Sequence, residues 1–271
     1  MGEGAQQEGN SKGKMTSMKD NKQYDNYIFD LYWTLINNHT NENSPKLWRD
    51  LSRLYKSQGF AYEPKELHEA YLAEVKLMQQ ELIEKFAKKG IHIQYPEHLI
   101  EDTFKRLALK KNPKKKVSDD WCSLMANDFR LLSRDRLQLF PGTKAMLRRL
   151  KKAGKKVYLL SNAQAVFTRG EFELMGLPKY FDGVFYSSDL EVRKPEPYFM
   201  QRLLEEYHLD PKTCVMIGNE VESDVKIADA CGVDAILVNA NGHTDKEIAE
   251  RKKKYGIKQD FAVVQKIAEV F

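Results

Sequence analysis

The sequence predicts an α/β fold in which an open parallel sheet is interrupted by an inserted helical domain. Two patterns lead to this prediction. Short apolar runs, each ending at a small or polar residue, alternate with segments of helical periodicity, as buried parallel strands alternate with their crossover helices. A long stretch after the first run breaks the alternation and is helix-patterned throughout. Ligands of open α/β sheets bind outside the carboxyl ends of the strands, so the residues that end the apolar runs are the first candidates for a functional site.

The predicted strands follow one another along the chain. The first, YIF, ends at Asp30. The others are VYLL (157–160), GVFYS (183–187), CVMI (214–217) and AILV (235–238). A typical connecting helix is GTKAMLRRLKKAG, with Met146, Leu147 and Leu150 on one face and a glycine at its end. This succession is that of a Rossmann-like parallel sheet.

The stretch that breaks the alternation predicts an inserted cap domain. It contains PKLWRDLSRLYKSQGF, PKELHEAYLAEVKLMQQELIEKFAKKG and DDWCSLMANDFRLLSR, which carry apolar residues at helical spacing between proline- and lysine-rich breaks. An insertion that leaves the strand carrying Asp30 would cover the site like a lid. The sheet is expected to resume near Phe140. The predicted divisions are a disordered, polar tail (1–21), a discontinuous Rossmann-like core (22–38 and 138–271) and a helical cap (39–137).

Composition and charge argue against several classes of function. The chain has 44 basic and 39 acidic side chains, and its six histidines show no pairing at metal-ligand spacing. The basic run FKRLALKKNPKKK (104–116) lacks interleaved aromatics, which indicates a solvated helix end rather than a nucleic-acid site. No apolar run approaches the roughly 18 residues of a membrane span, and no secretory pattern begins the chain. Three distant cysteines, Cys122, Cys214 and Cys231, favour reduced thiols in a cytoplasmic protein.

Polar side chains that follow the predicted strands would meet at one edge of the sheet. They are Asp30, Ser161 with Asn162, the acidic loop GNEVESD (218–224) and, from a proline-flanked loop, Lys194. Each has an ordinary interpretation as a turn aspartate, a helix N-cap, an acid-rich helical turn or a solvated lysine. Together they suit covalent catalysis on an anionic substrate, in which the carboxylate attacks, hydroxyl and ammonium hold the negative group, and the acidic loop holds a cation. The expected partner is therefore a small anionic metabolite, neither a nucleic acid nor a membrane, and the oligomeric state is not predicted.

Four motifs in order resemble those of the haloacid dehalogenase superfamily, in the subfamily whose helical C1-type cap is inserted after the first motif. The family's Asp-x-Asp-x-Thr is matched by DLYWT (30–34), except that Tyr32 replaces the second acid. Its strand ending in Ser or Thr is matched by VYLLSN, and its lysine followed by proline is matched by Lys194. Its Gly-Asp-x4-Asp is matched by Gly218, Asn219 and Asp224.

The resemblance implies a hydrolase of phosphatase type that acts on a small phosphorylated metabolite through an aspartyl nucleophile, Asp30. It also implies a Mg²⁺ cofactor. The implied catalytic residues are Asp30, Tyr32 and Lys194, the implied substrate-binding residues are Thr34, Ser161 and Asn162, and the implied metal ligands are Asp30, Tyr32, Asn219 and Asp224.

Two positions depart from the family pattern. Tyr32 stands where an acid normally protonates the leaving oxygen and then activates water, and a tyrosine that titrates near about 10 is a poor general base. Asn219 replaces the first acid of the fourth motif, so Mg²⁺ should bind more weakly. We therefore expect an enzyme whose activity is reduced.

One alternative is a metal-independent haloacid dehalogenase, because those enzymes also have Asp-x-Tyr in the first motif and neutral residues in the fourth. A halide leaving group requires no protonation. They use a cap arginine, for which Arg49 or Arg53 is available. Against this alternative, Gly218 stands where they have serine, and the bulky Trp33 stands where glycine is usual.

A second alternative is a non-catalytic member of the fold that only binds its ligand. Ligand binding would need Ser161 and Lys194 but no chemistry at Tyr32.

Overall fold

The computed structural model describes residues 23–271 of the chain. The tail predicted for 1–21 lies outside the described residues. The strands are β1 (Asn26–Phe29), β2 (Ile36–Thr40), β3 (Arg134–Leu139), β4 (Lys156–Ser161), β5 (Gly183–Tyr186), β6 (Cys214–Gly218), β7 (Asp234–Val238) and β8 (Ala262–Val264).

Six strands form one parallel sheet in the order β5-β4-β1-β6-β7-β8, which confirms the predicted α/β fold class. All five predicted strands are present in it. The sequence analysis missed β8, whose three residues are too few to display a pattern. Within the sheet, β1 lies between β4 and β6, and its Phe29 pairs with Leu159 on one side and Ile217 on the other. Asp30 therefore leaves the sheet beside the carboxyl ends of both neighbours.

Helices cover both faces of this sheet. The helices that follow the inserted segment are α5 (Thr143–Lys152), α6 (Ala165–Leu174), α7 (Ser187–Leu190), α8 (Pro197–Glu206), α9 (Lys226–Cys231) and α10 (Asp245–Lys254), numbered after the four inserted helices described below. Successive residues of β1 point to opposite faces: Phe29 packs in a cluster with Leu147 of α5, and Ile28 packs in a cluster with Phe199 of α8. A sheet buried on both faces explains why its strands read as continuous apolar runs.

The inserted segment forms helices α1 (Pro45–Ser57), α2 (Pro64–Ala87), α3 (Ile100–Lys111) and α4 (Asp119–Ser133). Prolines begin α1 and α2, where a missing N–H costs nothing, and Ser118 caps α4 by accepting from Trp121. These helices share an apolar core of their own, rich in aromatic side chains such as Trp48 and Phe129. Residues 45–133 contribute no strand to the main sheet. The division of the chain into a cap and a discontinuous core remains a prediction.

Two antiparallel strands connect the inserted helices to the rest of the chain. β2 leaves toward α1 and β3 returns from α4, and the two pair along their length in a separate two-stranded sheet. The expectation that the sheet resumes near Phe140 is therefore wrong in detail, because the chain first forms β3 and rejoins the main sheet only at β4. Two crossing segments that run side by side in opposite directions satisfy each other's backbone hydrogen bonds.

The basic run at 104–116 forms the second half of α3 and the loop after it. Its cations pair with acids of the neighbouring helix: Arg106 contacts Glu81, and Lys110 contacts the buried Glu74. These residues are thus engaged within the inserted helices. In residues 23–271, no helix is both long and apolar enough to cross a lipid bilayer.

Candidate active site at the carboxyl edge of the sheet

Asp30 is held at the sheet edge by a tight turn. Its backbone N–H donates to the carbonyl of Ile217, so pairing with β6 extends to this residue. The chain then turns back, and the N–H of Leu35 donates to the carbonyl of Leu31 at 2.8 Å. Trp33, at the tip, has a φ of 61°, a conformation that is rare for a residue other than glycine and is often found at functional sites. The Asp30 side chain is 11% exposed.

One buried ammonium joins two buried carboxylates at this edge. Lys194 Nζ lies 2.6 Å from Asp30 Oδ1 and 2.7 Å from Asp224 Oδ1. Burial alone would lower the pKa of Lys194, but the carboxylates of Asp224 and Asp30 hold this pKa above its ordinary value. Burial raises the pKa of Asp224. When both carboxylates are ionised, the group carries one excess negative charge in a buried place, and a further cation would balance it.

Thr34 and Asn219 adjoin the second oxygen of the Asp30 carboxylate. The buried Thr34 hydroxyl lies 3.2 Å from Asp30 Oδ2 and 3.2 Å from Asn219 Oδ1. Each oxygen of Asp30 thus has a partner, Lys194 on one side and Thr34 on the other, which fixes the orientation of the carboxylate. In the structure Thr34 contacts the candidate nucleophile, and its predicted contact with substrate remains a prediction.

A π-helical turn (Val221–Val225) positions Asp224. The N–H of Val225 donates to the carbonyl of Glu220 five residues earlier, and the N–H of Glu220 donates to Asp224 Oδ2 at 3.0 Å. Turns of this kind are frequent at functional sites. Gly218 lies directly against this carboxylate, because a Cβ at Gly218 would overlap the Asp224 carboxyl group. The serine expected at this position in the dehalogenase alternative does not fit while Asp224 stands here.

We expect Gly218→Ala to displace Asp224 and to destabilise the protein by about 1–3 kcal/mol, the usual cost of overpacking a well-packed site. Gly170 provides the control, since a Cβ there meets nothing within 4 Å and the residue lies within α6. Gly170→Ala should stabilise the protein by about 0.5–1 kcal/mol. Urea denaturation of both variants measures the effect, and a Gly218→Ala protein as stable as the unchanged one would contradict the close contact.

Ser161 and Asn162 follow β4 at the same edge. Ser161 is fully buried, and its Oγ has no hydrogen-bond partner among the described residues. Such a hydroxyl is available to a ligand oxygen, because a buried polar group left unpaired costs free energy. The Asn162 side chain instead binds the backbone of Lys194. Its Oδ1 accepts from the N–H of Lys194 at 2.8 Å, and its Nδ2 donates to the Lys194 carbonyl at 3.2 Å. Asn162 therefore positions Lys194, and its substrate contact remains a prediction.

The Tyr32 side chain is bound within the protein. Its hydroxyl donates to Glu171 Oε2 at 2.5 Å and lies 3.2 Å from the hydroxyl of Thr168. Burial raises the pKa of Tyr32, so the hydroxyl keeps its proton and acts as a donor. The group that replaces the usual acid is thus engaged with the core helix α6.

Sequence reasoning missed the cap arginine that reaches this region. Arg49 and Arg53 are exposed on α1, and Arg53 pairs with its neighbour Asp50. Arg130 of α4 is the buried one, and its guanidinium lies 4.9 Å from the centre of the Tyr32 ring. The sequence contains a sign that Arg130 is buried, because it lies on the same face of α4 as the apolar residues. A buried cation requires an anionic partner.

A small cleft of 130 Å³ lies at this edge of the sheet. Its lining residues are Asp30, Tyr32, Trp33, Asn162, Lys194, Asn219, Glu220, Ser223 and Asp224. With a water taking up about 30 Å³, the cleft has room for a group of phosphate size. Six of the eight predicted site residues line this cleft, whereas Thr34 and Ser161 are not among its lining residues.

The oxygen atoms available at the cleft are of the kind that a hard divalent cation binds. Among residues 23–271, no group of three or more His, Cys, Asp or Glu side chains is arranged to hold a metal ion. The available donors are the Asp30 and Asp224 carboxylates, the Asn219 amide oxygen and main-chain carbonyls. Mg²⁺ takes such oxygens, and the excess negative charge around Lys194 favours a cation there.

The parallel sheet, its carboxyl-edge cleft and the helices inserted after β1 define a class, the Rossmann-like α/β proteins that carry a helical insertion. Within that class the chain belongs to the haloacid dehalogenase-like hydrolases, whose family model matches residues 24–232. This match confirms the family resemblance. The subfamily with a C1-type cap remains a prediction.

Several curated relatives are phosphatases. A glyceraldehyde 3-phosphate phosphatase of Methanothermobacter thermautotrophicus is 27% identical over 136 residues, which is 49% of this chain and 58% of that protein. A phosphoserine phosphatase of Thermus thermophilus is 28% identical over 106 residues, which is 39% of this chain and 43% of that protein. The chain thus spans about half the length of the curated relatives it matches.

Solved structures share the fold. A 2-haloacid dehalogenase of Pseudomonas syringae superposes with a TM-score of 0.58 at 18% identity, covering 92% of this chain and 96% of that one. At this identity the likeness concerns the fold alone.

Proposed function

We propose that this chain is a phosphatase that hydrolyses a small phosphorylated metabolite through the Asp30 carboxylate. The observation that carries the proposal is the placement of Asp30 at the cleft, with Lys194 on one carboxylate oxygen and Thr34 on the other. Phosphatases among the curated relatives support the same reaction class. The three cysteines are free thiols, which fits the proposed cytoplasmic location.

In the proposed reaction an oxygen of Asp30 attacks the phosphorus atom of the substrate. A bond forms between that oxygen and phosphorus, and the bond from phosphorus to the ester oxygen breaks, so the leaving group departs with the electron pair. A water oxygen then bonds to the phosphorus of the aspartyl phosphate, and the bond from phosphorus to the Asp30 oxygen breaks. Inorganic phosphate leaves, the Asp30 carboxylate is regenerated, and the proton of the water passes to solvent. Lys194 and the unpaired Ser161 hydroxyl would hold the phosphoryl oxygens, because charge on these oxygens is what the site must stabilise.

A magnesium ion would be held by the carboxylates of Asp30 and Asp224, the main-chain carbonyl of Tyr32 and the neutral amide oxygen of Asn219. When bound, it would offset the repulsion between an anionic nucleophile and an anionic substrate. The Asn219 oxygen contributes no charge, so we propose weaker binding than in a site with a further acid.

The identity of residue 32 predicts a strong dependence on the leaving group. An alkyl phosphate expels an alkoxide that must be protonated, whereas an aryl or acyl phosphate expels a group that is stable as an anion. With the Tyr32 hydroxyl donated to Glu171, alkyl esters such as phosphoserine should react about 10²- to 10⁴-fold more slowly than p-nitrophenyl or acetyl phosphate. Breakdown of the aspartyl phosphate should also be slow, so stopped-flow traces with p-nitrophenyl phosphate should show a burst followed by slow turnover. Equal rates for alkyl and aryl esters without a burst would mean that another group supplies the proton.

One panel of assays tests the proposed function against its alternatives. Phosphate esters and 2-haloacids are supplied with Mg²⁺ and, separately, with EDTA. Phosphate release that EDTA suppresses supports the proposal. Halide release without metal would instead favour the dehalogenase alternative, which Tyr32 and Asn219 suggest and Gly218 opposes. Binding of phosphate esters with no turnover of any substrate would favour the non-catalytic alternative.

A further inference from the structure

A buried ion cluster lies beside the cleft. Glu171 of α6 accepts four hydrogen bonds through its two carboxylate oxygens. Arg130 donates through Nε at 2.6 Å and through a terminal nitrogen at 2.9 Å, Arg134 donates at 2.5 Å, and the Tyr32 hydroxyl donates at 2.5 Å. Burial alone would raise the pKa of Glu171, but the hydrogen bonds from Arg130 lower it, so the carboxylate is charged.

The cluster joins three parts of the molecule. Tyr32 belongs to the catalytic turn, Glu171 to a helix of the sheet domain, and Arg130 to the last inserted helix. Arg134 is the first residue of β3, so the returning connector begins inside the cluster. Displacing α4 relative to α6 would break these charged hydrogen bonds, which include the one from Tyr32 of the catalytic turn.

Arg130 is tightly packed in this ion cluster. Its guanidinium lies between two rings, 4.9 Å from the centre of Tyr32 and 5.0 Å from the centre of Phe167 on α6. Its side chain is 8% exposed and that of Glu171 is 6% exposed. Removing one partner from such a pair leaves a buried charge unpaired, so the contact is costly to break.

We propose that Glu171 is a positioning residue of the reaction, which fixes Tyr32 and Arg130 so that Tyr32 anchors the inserted helices beside the catalytic turn and takes no part in proton transfer. This inference rests on the proposed function. It assigns a task to the side chain that replaces the family's second acid. The aromatic ring and hydroxyl together provide what a short carboxylate at this position cannot, a stacking face for Arg130 and a donor for Glu171.

Leaving-group chemistry separates an anchor from a proton donor. Tyr32→Phe and Glu171→Gln are compared on p-nitrophenyl phosphate and phenyl phosphate, whose leaving groups differ in their need for a proton. An anchor predicts that each variant lowers the rate constant of the burst, which reports the step that expels the leaving group, by about 10- to 100-fold and by the same factor on both substrates. The double variant should lose no more than the worse single variant, since both changes break one link. A loss confined to phenyl phosphate in Tyr32→Phe would identify Tyr32 as the proton donor and overturn the inference.

Glu173→Gln is the matched control, because Glu173 lies exposed on the same helix two residues away. It should leave the burst rate constant unchanged on both substrates. If Glu171→Gln also leaves that rate constant unchanged, the positioning role is wrong.

Amide hydrogen exchange tests the structural role of the ion cluster without reference to activity. In Glu171→Gln the amides of β2 and β3 should exchange at least about tenfold faster than in Glu173→Gln, because local opening follows the loss of local stability. Unchanged exchange in the connectors would overturn the inference even if the chain is a phosphatase. Faster exchange in a chain that hydrolyses no phosphate ester would support the claim that the ion cluster stabilises β2 and β3, and it would refute only the proposed function.

Discussion

Asp30→Asn is expected to lower the hydrolysis of p-nitrophenyl phosphate by at least about 10³-fold, as the loss of a covalent nucleophile does. An amide has nearly the shape of a carboxylate but lacks its nucleophilic charge. Lys194 keeps Asp224 as a partner in this variant, so the fold should persist. Steady-state rates together with thermal unfolding measure the two effects separately.

Asp25→Asn is the matched control. Asp25 immediately precedes the same strand at its amino end, is largely exposed and pairs with Lys155. Its replacement should leave the rate within about twofold, since an exposed ion pair contributes at most about 1 kcal/mol to stability and does not touch the cleft. If Asp30→Asn hydrolyses the ester as fast as Asp25→Asn, another group is the nucleophile.

Lys194→Met is expected to destabilise the protein by about 3–5 kcal/mol, the usual cost of removing one partner from a buried charged group. The side chain is 1% exposed, and its removal would leave Asp30 and Asp224 buried without a positive charge between them. Activity should be lost as well. Urea denaturation measures the stability change.

Lys156→Met serves as the control for this variant. Lys156 pairs with Asp182 at the surface, and its side chain is 59% exposed. The change should cost no more than about 1 kcal/mol. The double variant Lys194→Met with Asp224→Asn should recover part of the lost stability, because it removes one of the two unpaired carboxylates. If Lys194→Met is as stable as Lys156→Met, the ammonium does not bridge the carboxylates.

The residues at the carboxyl edge of the sheet could be predicted from the sequence, because this prediction does not depend on the order of the strands in the sheet. In a parallel sheet every strand ends at the same edge, so the residues after each apolar run meet there whatever their neighbours are. Asp30, Ser161 and Asp224 were found in this way. The contact of Gly218 with Asp224 could not be predicted, since it depends on a π-helical turn that inserts one residue into the first helical turn.

The ion cluster could not be predicted because it forms between elements far apart in sequence. Arg130 and Glu171 each extend an apolar stripe of a helix, a sign that each is buried and needs a partner. The pairing depends on how α4 packs against α6, and neither helix contains that information alone. The same reason explains why the sequence points to Arg49 or Arg53 and not to Arg130 as the arginine of the dehalogenase alternative, since periodicity shows which residues share a face but not which face meets the sheet.

Trapping the covalent intermediate tests the aspartyl-phosphatase proposal most directly. The protein is mixed with p-nitrophenyl phosphate and Mg²⁺, quenched in acid within the burst and digested, and the peptide that contains Asp30 is weighed by mass spectrometry. We expect this peptide to gain the mass of one phosphoryl group in the unchanged protein and in Asp25→Asn, and not in Asp30→Asn. Release of p-nitrophenol without any phosphoryl group on the Asp30 peptide would contradict the role of Asp30 as the nucleophile.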